Sequence, residues 1–329
     1  MFRVCCLGVI AVSVLVAGPR GRQAGPALQP AASQPATAPA ETTAPIGFAA
    51  VAAEGLTGTT GGAGGKDVTV ATPEEFLAAI QGDEPKIIHV RGTIALPDDM
   101  HRVGSNTSIL GEGTDAQLRD GGLSLRGVNN VIIRNLTFRG SVDDAICVTN
   151  RSHHVWIDHC DLAEAHDGLI DVVHQSSYVT VSWCRFSNHF KTILIGNSVK
   201  LTSDTGFLKV TLHHNWFDGT HGRHPRVRFG QVHVFNNLYE RNSYGIVSNM
   251  GAQVVVEANY FNHVDRPTLV RYRDPRGGDL VERDNLFNSS GKPQTAGRAF
   301  DPHALYPYQL DTPDKVPDLV RKSAGVSKP

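Results

Sequence analysis

Six charged residues fall at matching places in four successive segments of this chain, and their types suit the handling of an acidic polymer. Asp144 lies 13 positions after Val131, Asp167 and Asp171 lie 12 and 16 after Val155, Lys191 lies 12 after Val179, and Arg223 and Arg228 lie 13 and 18 after Val210. The acidic end of the series suits a hard cation, because Ca2+ takes several oxygen ligands and carboxylates supply the charge. Asp143 adds one more carboxylate there. The basic end suits anions: arginine offers a planar fork to carboxylates, and lysine a compact point charge. A divalent cation beside a row of basic side chains implies a ligand with regularly spaced carboxylates, and a polyuronic acid fits. Spacing alone leaves the other readings open, a solvated turn of scattered aspartates and a surface charge cluster. In a straight strand Asp167 and Asp171 stand roughly 13 Å apart, at about 3.3 Å per residue, so one ion reaches both only if the chain bends or water intervenes.

The elements that position these residues repeat. Val131-Ile132-Ile133-Arg134-Asn135 is followed by like segments opening at Val155, Val179, Val210, Val232, Val254 and Leu280, at spacings of 24, 24, 31, 22, 22 and 26. Each repeat closes on Phe138, Leu162, Phe186, Phe217, Tyr239, Phe261 or Phe287. Such a period is the signature of a stacked array. Alternating Val, Ile and Thr give the strand period, and second short runs such as Leu169-Ile170-Asp171-Val172 follow. Several short strands per repeat without a helix-length segment predict an all-β, right-handed parallel β-helix. Stacking at about 4.8 Å per coil then places the six charged residues on or beside one face. Asn215, Asn237, Asn259 and Asn285 share a repeat position where amides can bond along a ladder. Thr72-Pro73-Glu74-Glu75 before Phe76 reads as a capped helix over the N-terminal end of the solenoid. Pro313 to Lys322 reads as a second short helix. The long spacing of 31 predicts a loop around Ser198 to Phe207 beside the groove.

The 329 residues carry a net charge of only -1 and no long basic block, which gives no reason to invoke nucleic acid. Residues 1–22 read as a secretory signal, with Arg3 before an apolar run too short for a comfortable membrane span; an uncleaved anchor is the alternative. Residues 23–54 read as an Ala/Pro/Thr-rich linker, and residues 55–329 as the folded domain. A secreted monomer without a protein partner is expected. Cys147, Cys160 and Cys184 remain after the signal, an odd number that argues against a full disulfide framework. Cys160 and Cys184 hold equivalent places, so they are either bridged or packed reduced in the core.

Several stretches together are distinctive: Val155-Trp156-Ile157-Asp158-His159, Asp167-Gly168-Leu169-Ile170-Asp171, Tyr178-Val179-Thr180-Val181-Ser182-Trp183, and Arg223-His224-Pro225-Arg226-Val227-Arg228-Phe229-Gly230-Gln231-Val232-His233. With the glycine-rich entry Gly61-Gly62-Ala63-Gly64-Gly65, they resemble the pectate lyases of polysaccharide lyase family 1, over about Gly61 to Leu319. The resemblance implies that Asp144, Asp167 and Asp171 hold Ca2+, that Lys191 and Arg228 bind substrate carboxylate, and that Arg223 is the base. It implies Ca2+-dependent β-elimination on polygalacturonate, leaving a 4,5-unsaturated sugar. Arginine ordinarily stays protonated, so a base role needs neighbouring positive charge and moves activity toward alkaline pH. The chain departs from the family in having Asn197-Ser198-Val199 where a Ser-Ser-Asp run is usual; the six residues themselves are unchanged. Two rivals remain. A pectin lyase acts on methyl-esterified chains and lacks the acidic site, and a non-catalytic pectin-binding β-helix would not need both arginines and Lys191. The histidines, among them His153, His154, His213 and His214, show no zinc motif such as His-Glu-x-x-His.

Overall fold

The residue that opens each repeat sets the register of the whole molecule. In the computed structural model, which describes residues 44–326, Val131, Val155, Val179, Val210, Val232, Val254 and Leu280 are paired in one unbroken row of parallel strands. The row runs through a ten-stranded sheet; an eight-stranded and a nine-stranded sheet complete the coils. The chain is therefore an all-β parallel solenoid of about ten coils. Three coils at the N-terminal side, whose strands begin at Lys66, Lys86 and Thr107, extend the row beyond the seven repeats legible in the sequence. They open on Lys or Thr instead of Val, and the closing row carries Ile94 and Leu118 there, so they escape the pattern.

Burial follows the strand alternation. In the eight-stranded sheet Ile146, Val148, Ile170, Val172, Ile193 and Ile195 point into a dry core, and the residues between them face outward. The nine-stranded sheet sends a stack of rings into the same core. Phe186, Phe217, Tyr239, Phe261 and Phe287 lie nearly parallel, with successive centroids 5.1, 4.8, 4.4 and 5.0 Å apart, close to the coil spacing. Such stacks add about 0.5–1.5 kcal/mol per pair beyond area burial.

The corner between the ten- and nine-stranded sheets is built the same way in every repeat. The fifth residue (Asn135, His159, Trp183, His214, Asn236, Ala258 or Asp284) has a left-handed backbone, with φ between 49° and 57°. The next position carries the asparagine ladder. Asn215 donates to Asn237 at 2.9 Å, Asn237 to Asn259 at 3.0 Å, and Asn259 to Asn285 at 3.0 Å. Cys160 and Cys184 continue this row, and both are buried and unbridged.

Two helices flank the coils. α1 (Pro73–Ala79) carries the expected capping box between Thr72 and Glu75 and buries Phe76 in the core. α2 (Val316–Ser323) starts slightly later than expected, with Pro317 in its first turn, and packs Val316 and Val320 on Leu238. The expected signal peptide and the expected linker up to residue 43 lie outside the described residues. The remainder of the expected linker, residues 44–54, is packed: Phe48 is buried among Tyr178, Phe300 and Tyr306, and its N–H donates to Thr211 Oγ1 at 3.0 Å. Small residues dominate this segment, which hides the two bulky side chains, Ile46 and Phe48, that pin it.

Beside this segment runs a buried polar chain. Tyr306 bonds both Thr211 (3.0 Å) and His233 (2.9 Å), His233 bonds Glu257 (2.8 Å), and Tyr308 donates to the same carboxylate. Burial by itself would raise Glu257, but hydrogen bonds from His233 and Tyr308 and the charge of Arg283 bring it down to about 2 from an ordinary 4.5. A depressed carboxylate contributes stability that is complete above the unfolded value and is lost as pH falls through the folded one. Glu257→Gln is expected to cost about 1–3 kcal/mol at neutral pH and to flatten the loss of stability between pH 4.5 and about 2. Thermal melts across that range check it; parallel decline in both proteins would contradict the linkage.

Candidate active site

The outward row of the eight-stranded sheet forms the floor. Ser124, Cys147, Asp171, Leu194 and Arg226 are successive partners in it. The turns that lead into these strands carry the other groups: Asp143 and Asp144 before Ile146, Asp167 and Gly168 before Ile170, Lys191 before Ile193. Lys191 pairs with Gly222 in the next coil, which sets Arg223 beside it.

At the acidic end, single oxygens of Asp143, Asp144 and Asp167 lie within 4.8 Å of one another. Asp171 lies outside that group of three and approaches Asp144 across Gly168; the chain bends at His166, Asp167 and Leu169 before the strand Ile170–Val172 begins, so the straight-strand separation does not apply. Gly168 is the hinge of this cluster. Its N–H donates to Asp144 Oδ1 at 2.9 Å, and a Cβ there would stand 2.8 Å from Asp144 Oδ1 and 3.1 Å from Asp171 Oδ1. Those two oxygens therefore converge over the one residue type that leaves them room. Asp171 Oδ1 is buried without a hydrogen-bond partner.

Electrostatics match this crowding. Burial, with the charges of Asp143 and Asp167, raises Asp144 to about 6, against the opposing Gly168 N–H and Arg223. Burial and the Asp144 charge also push Asp171 well up. Asp167 moves the other way, because Lys191 donates to its Oδ1 at 2.6 Å. Burial keeps the Cys147 thiol protonated beside them.

The basic end divides into two kinds of arginine. Arg223 acts electrostatically on Asp144, Asp167 and Asp171 and has a left-handed backbone with φ 62°. Arg226 and Arg228 are instead both tied to Asp274, at 2.8 Å each. Arg228 also gives its Nη1 hydrogens to the carbonyls of Gly196 and Asn197 and one Nη2 hydrogen to Asp274 Oδ1. Four of its five N–H groups are thus committed inside the protein, which leaves one for a ligand. The contact with Asn197 is through the backbone, so the departure in sequence there leaves it intact.

The structure thus brings Asp144, Asp167, Asp171, Lys191 and Arg223 together, and places Arg228 at the rim on a protein carboxylate. Asp274 was not legible as a functional residue. It lies 48 positions after Arg226, in a loop outside the repeat, and no periodic signal marks it. The expected loop around Ser198 to Phe207 contains a short 3-10 turn, Thr202–Asp204, and Asp204 accepts from Gln175 N at 2.9 Å.

A family model described as pectate lyase matches residues 10–329. The chain belongs to the pectate lyase family. Its enzymes are polysaccharide lyases, and so is this chain. It is 36% identical over 292 residues to a pectate trisaccharide-lyase of Bacillus licheniformis, covering 82% of this chain and 84% of the relative. It is 38% identical over 332 residues to a pectate trisaccharide-lyase of Thermotoga maritima, covering 86% and 89%. Pectate lyase A of Emericella nidulans is 40% identical over 279 residues, covering 82% and 83%. Among solved structures, the pectate lyase Bsp165PelA from Bacillus sp. N165, in complex with trigalacturonate, superposes with a TM-score of 0.77 at 30% identity, covering 86% of this chain and 98% of that one. A pectate lyase from Acidovorax avenae shares the fold, with a TM-score of 0.75 at 23% identity over 91% and 98%.

Asp274 holds two buried guanidinium groups, and removing one partner of a buried ion pair typically costs about 3–5 kcal/mol. Asp274→Ala is expected to destabilise the protein in that range. Urea denaturation checks it; a change under about 0.5 kcal/mol, the size of an ordinary surface substitution, would show that solvent already satisfies both arginines.

Proposed function

We propose that this chain is an exported, calcium-dependent pectate lyase that cleaves polygalacturonate by β-elimination, releasing 4,5-unsaturated oligogalacturonates. The observation that carries the reading is the cluster of Asp143, Asp144 and Asp167, with Asp171 near Asp144 across Gly168, beside Lys191 and Arg223 in a member of this family. Export rests on the N-terminal apolar run and its early arginine. In this reading α1 closes the N-terminal end of the coils, which take the right-handed sense preferred by about 98% of parallel crossovers. A monomer acting on the polymer, with no protein partner, completes the reading.

The acidic end fits a hard divalent cation. The donors are all carboxylate oxygens, the preference of Ca2+, and one of them, Asp171 Oδ1, is buried with nothing to bond. Asp144, Asp167 and Asp171 would hold the ion, with Asp143 beside them. Bound there, Ca2+ supplies Lewis-acid stabilisation of charge developing on a substrate carboxylate.

The rest falls to the side chains. Lys191 and the remaining N–H of Arg228 hold substrate carboxylates and orient the sugar. Arg223, which is not engaged by Asp274, takes the proton from C5. The C5–H electron pair becomes the C4=C5 double bond, the C4–O bond breaks with its electrons on oxygen, and that oxygen takes up a proton as it leaves. The step requires a neutral guanidine, and arginine is ordinarily protonated, so activity is expected on the alkaline side.

Absorbance of the unsaturated product on polygalacturonate tests the reading, first with calcium and then with a chelator. Activity is expected with calcium, loss with chelator, and a loss of about 100-fold or more in Arg223→Ala, with substrate binding retained. Calorimetric titration of calcium is expected to weaken by about tenfold or more in Asp171→Asn. Activity indifferent to chelator, or near-normal turnover by Arg223→Ala, would overturn the assignment.

A further inference from the structure

The most exposed large apolar side chain among the described residues stands at the edge of the site. Phe190 is 62% exposed and immediately precedes Lys191. It lines an open cavity of about 540 Å3 together with Asp167, Lys191, His166 and His221. One face of its ring is already taken. It lies flat on the His221 imidazole, with centroids 4.0 Å apart and planes 10° from parallel.

This arrangement is braced along the solenoid. Tyr244 meets His221 edge-on at 5.7 Å, and Tyr272 packs on Tyr244 at 5.0 Å. Burial, with Arg266 and Arg273 nearby, holds His221 below its ordinary value, which keeps the imidazole a neutral, flat backing. The phenyl ring is thus fixed in water with its second face open, at a place where an apolar group gains nothing from the fold.

The ligand chemistry that fits such a face is a sugar ring. A galacto-configured hexuronate carries its C3, C4 and C5 hydrogens on one side, which makes that side apolar, while its carboxylate projects from C5. Resting on the polyuronate reading of the neighbouring site, we propose that Phe190 is a stacking platform that forms a sugar-binding subsite beside the Lys191–Asp167 pair. It takes one galacturonate ring of the chain by its C–H face, while Lys191 meets a carboxylate. Asn188, held by its 2.8 Å bond to Glu164 on the cavity wall, is positioned to meet ring hydroxyls.

Steady-state kinetics of the full calcium-loaded chain on polygalacturonate, with Phe190→Ala and Phe190→Trp, test this. Phe190→Ala is expected to raise KM about 3- to 10-fold with kcat within about twofold, and Phe190→Trp to restore KM. Unchanged KM in Phe190→Ala, or equal losses in both variants with kcat falling, would overturn the platform. A second measurement is independent of turnover. Trigalacturonate titrated into Phe190→Trp is expected to give a saturable change in tryptophan emission that the unmodified chain does not show; no change would overturn the platform. An inactive unmodified protein would count against the lyase reading alone, and the titration would still decide the platform.

Discussion

Everything in this molecule depends on parallel coils stacking in register, one backbone hydrogen-bonded step of about 4.8 Å at a time. A slip of one residue in any coil would turn a strand's buried side chains outward, and three kinds of row hold it in place. The valine row fixes the ten-stranded sheet, the ring stack fixes the nine-stranded sheet, and the asparagine ladder fixes the corner between them. The eight-stranded sheet keeps an inward aliphatic row of its own, Ile146, Ile170 and Ile193. Its outward row, Cys147, Asp171, Leu194 and Arg226, is free to differ from coil to coil. The candidate site lies on an outward row, where the scaffold asks least of the sequence.

The site itself works against stability. Three carboxylates gathered at one corner, with Asp171 beside them, repel one another, and burial raises Asp144 and Asp171. Such a cluster persists because the coils on either side over-determine its position, and because Lys191 and Arg223 oppose its charge. The same logic separates the arginines. Asp274 neutralises Arg226 and Arg228 and makes them part of the wall, while Arg223 faces the carboxylates.

The solenoid was legible in the sequence because each repeat opens on valine or leucine and closes on a ring or leucine, and the structure pairs those positions one to one. The three coils before Val131 were not legible, since Lys66, Lys86 and Thr107 break the opening signal. The stripe of Asp144, Asp167, Asp171, Lys191 and Arg223 was legible as a shared offset within the repeat. Its closeness was not, because the bends around Gly168, at His166, Asp167 and Leu169, are a matter of backbone and leave no mark in the repeat. Asp274 and Phe48 were invisible for a common reason: each acts from a segment outside the repeat on residues distant in sequence, and such contacts leave no period to read.

The central claim is that one stripe of the coil holds a divalent cation and an acidic sugar side by side. Anomalous diffraction from crystals of Arg223→Ala grown with calcium and trigalacturonate tests it directly. The account predicts a calcium peak among Asp144, Asp167 and Asp171, with a substrate carboxylate reaching Lys191. A calcium peak elsewhere, or a sugar chain bound away from the outer row of the eight-stranded sheet, would contradict it.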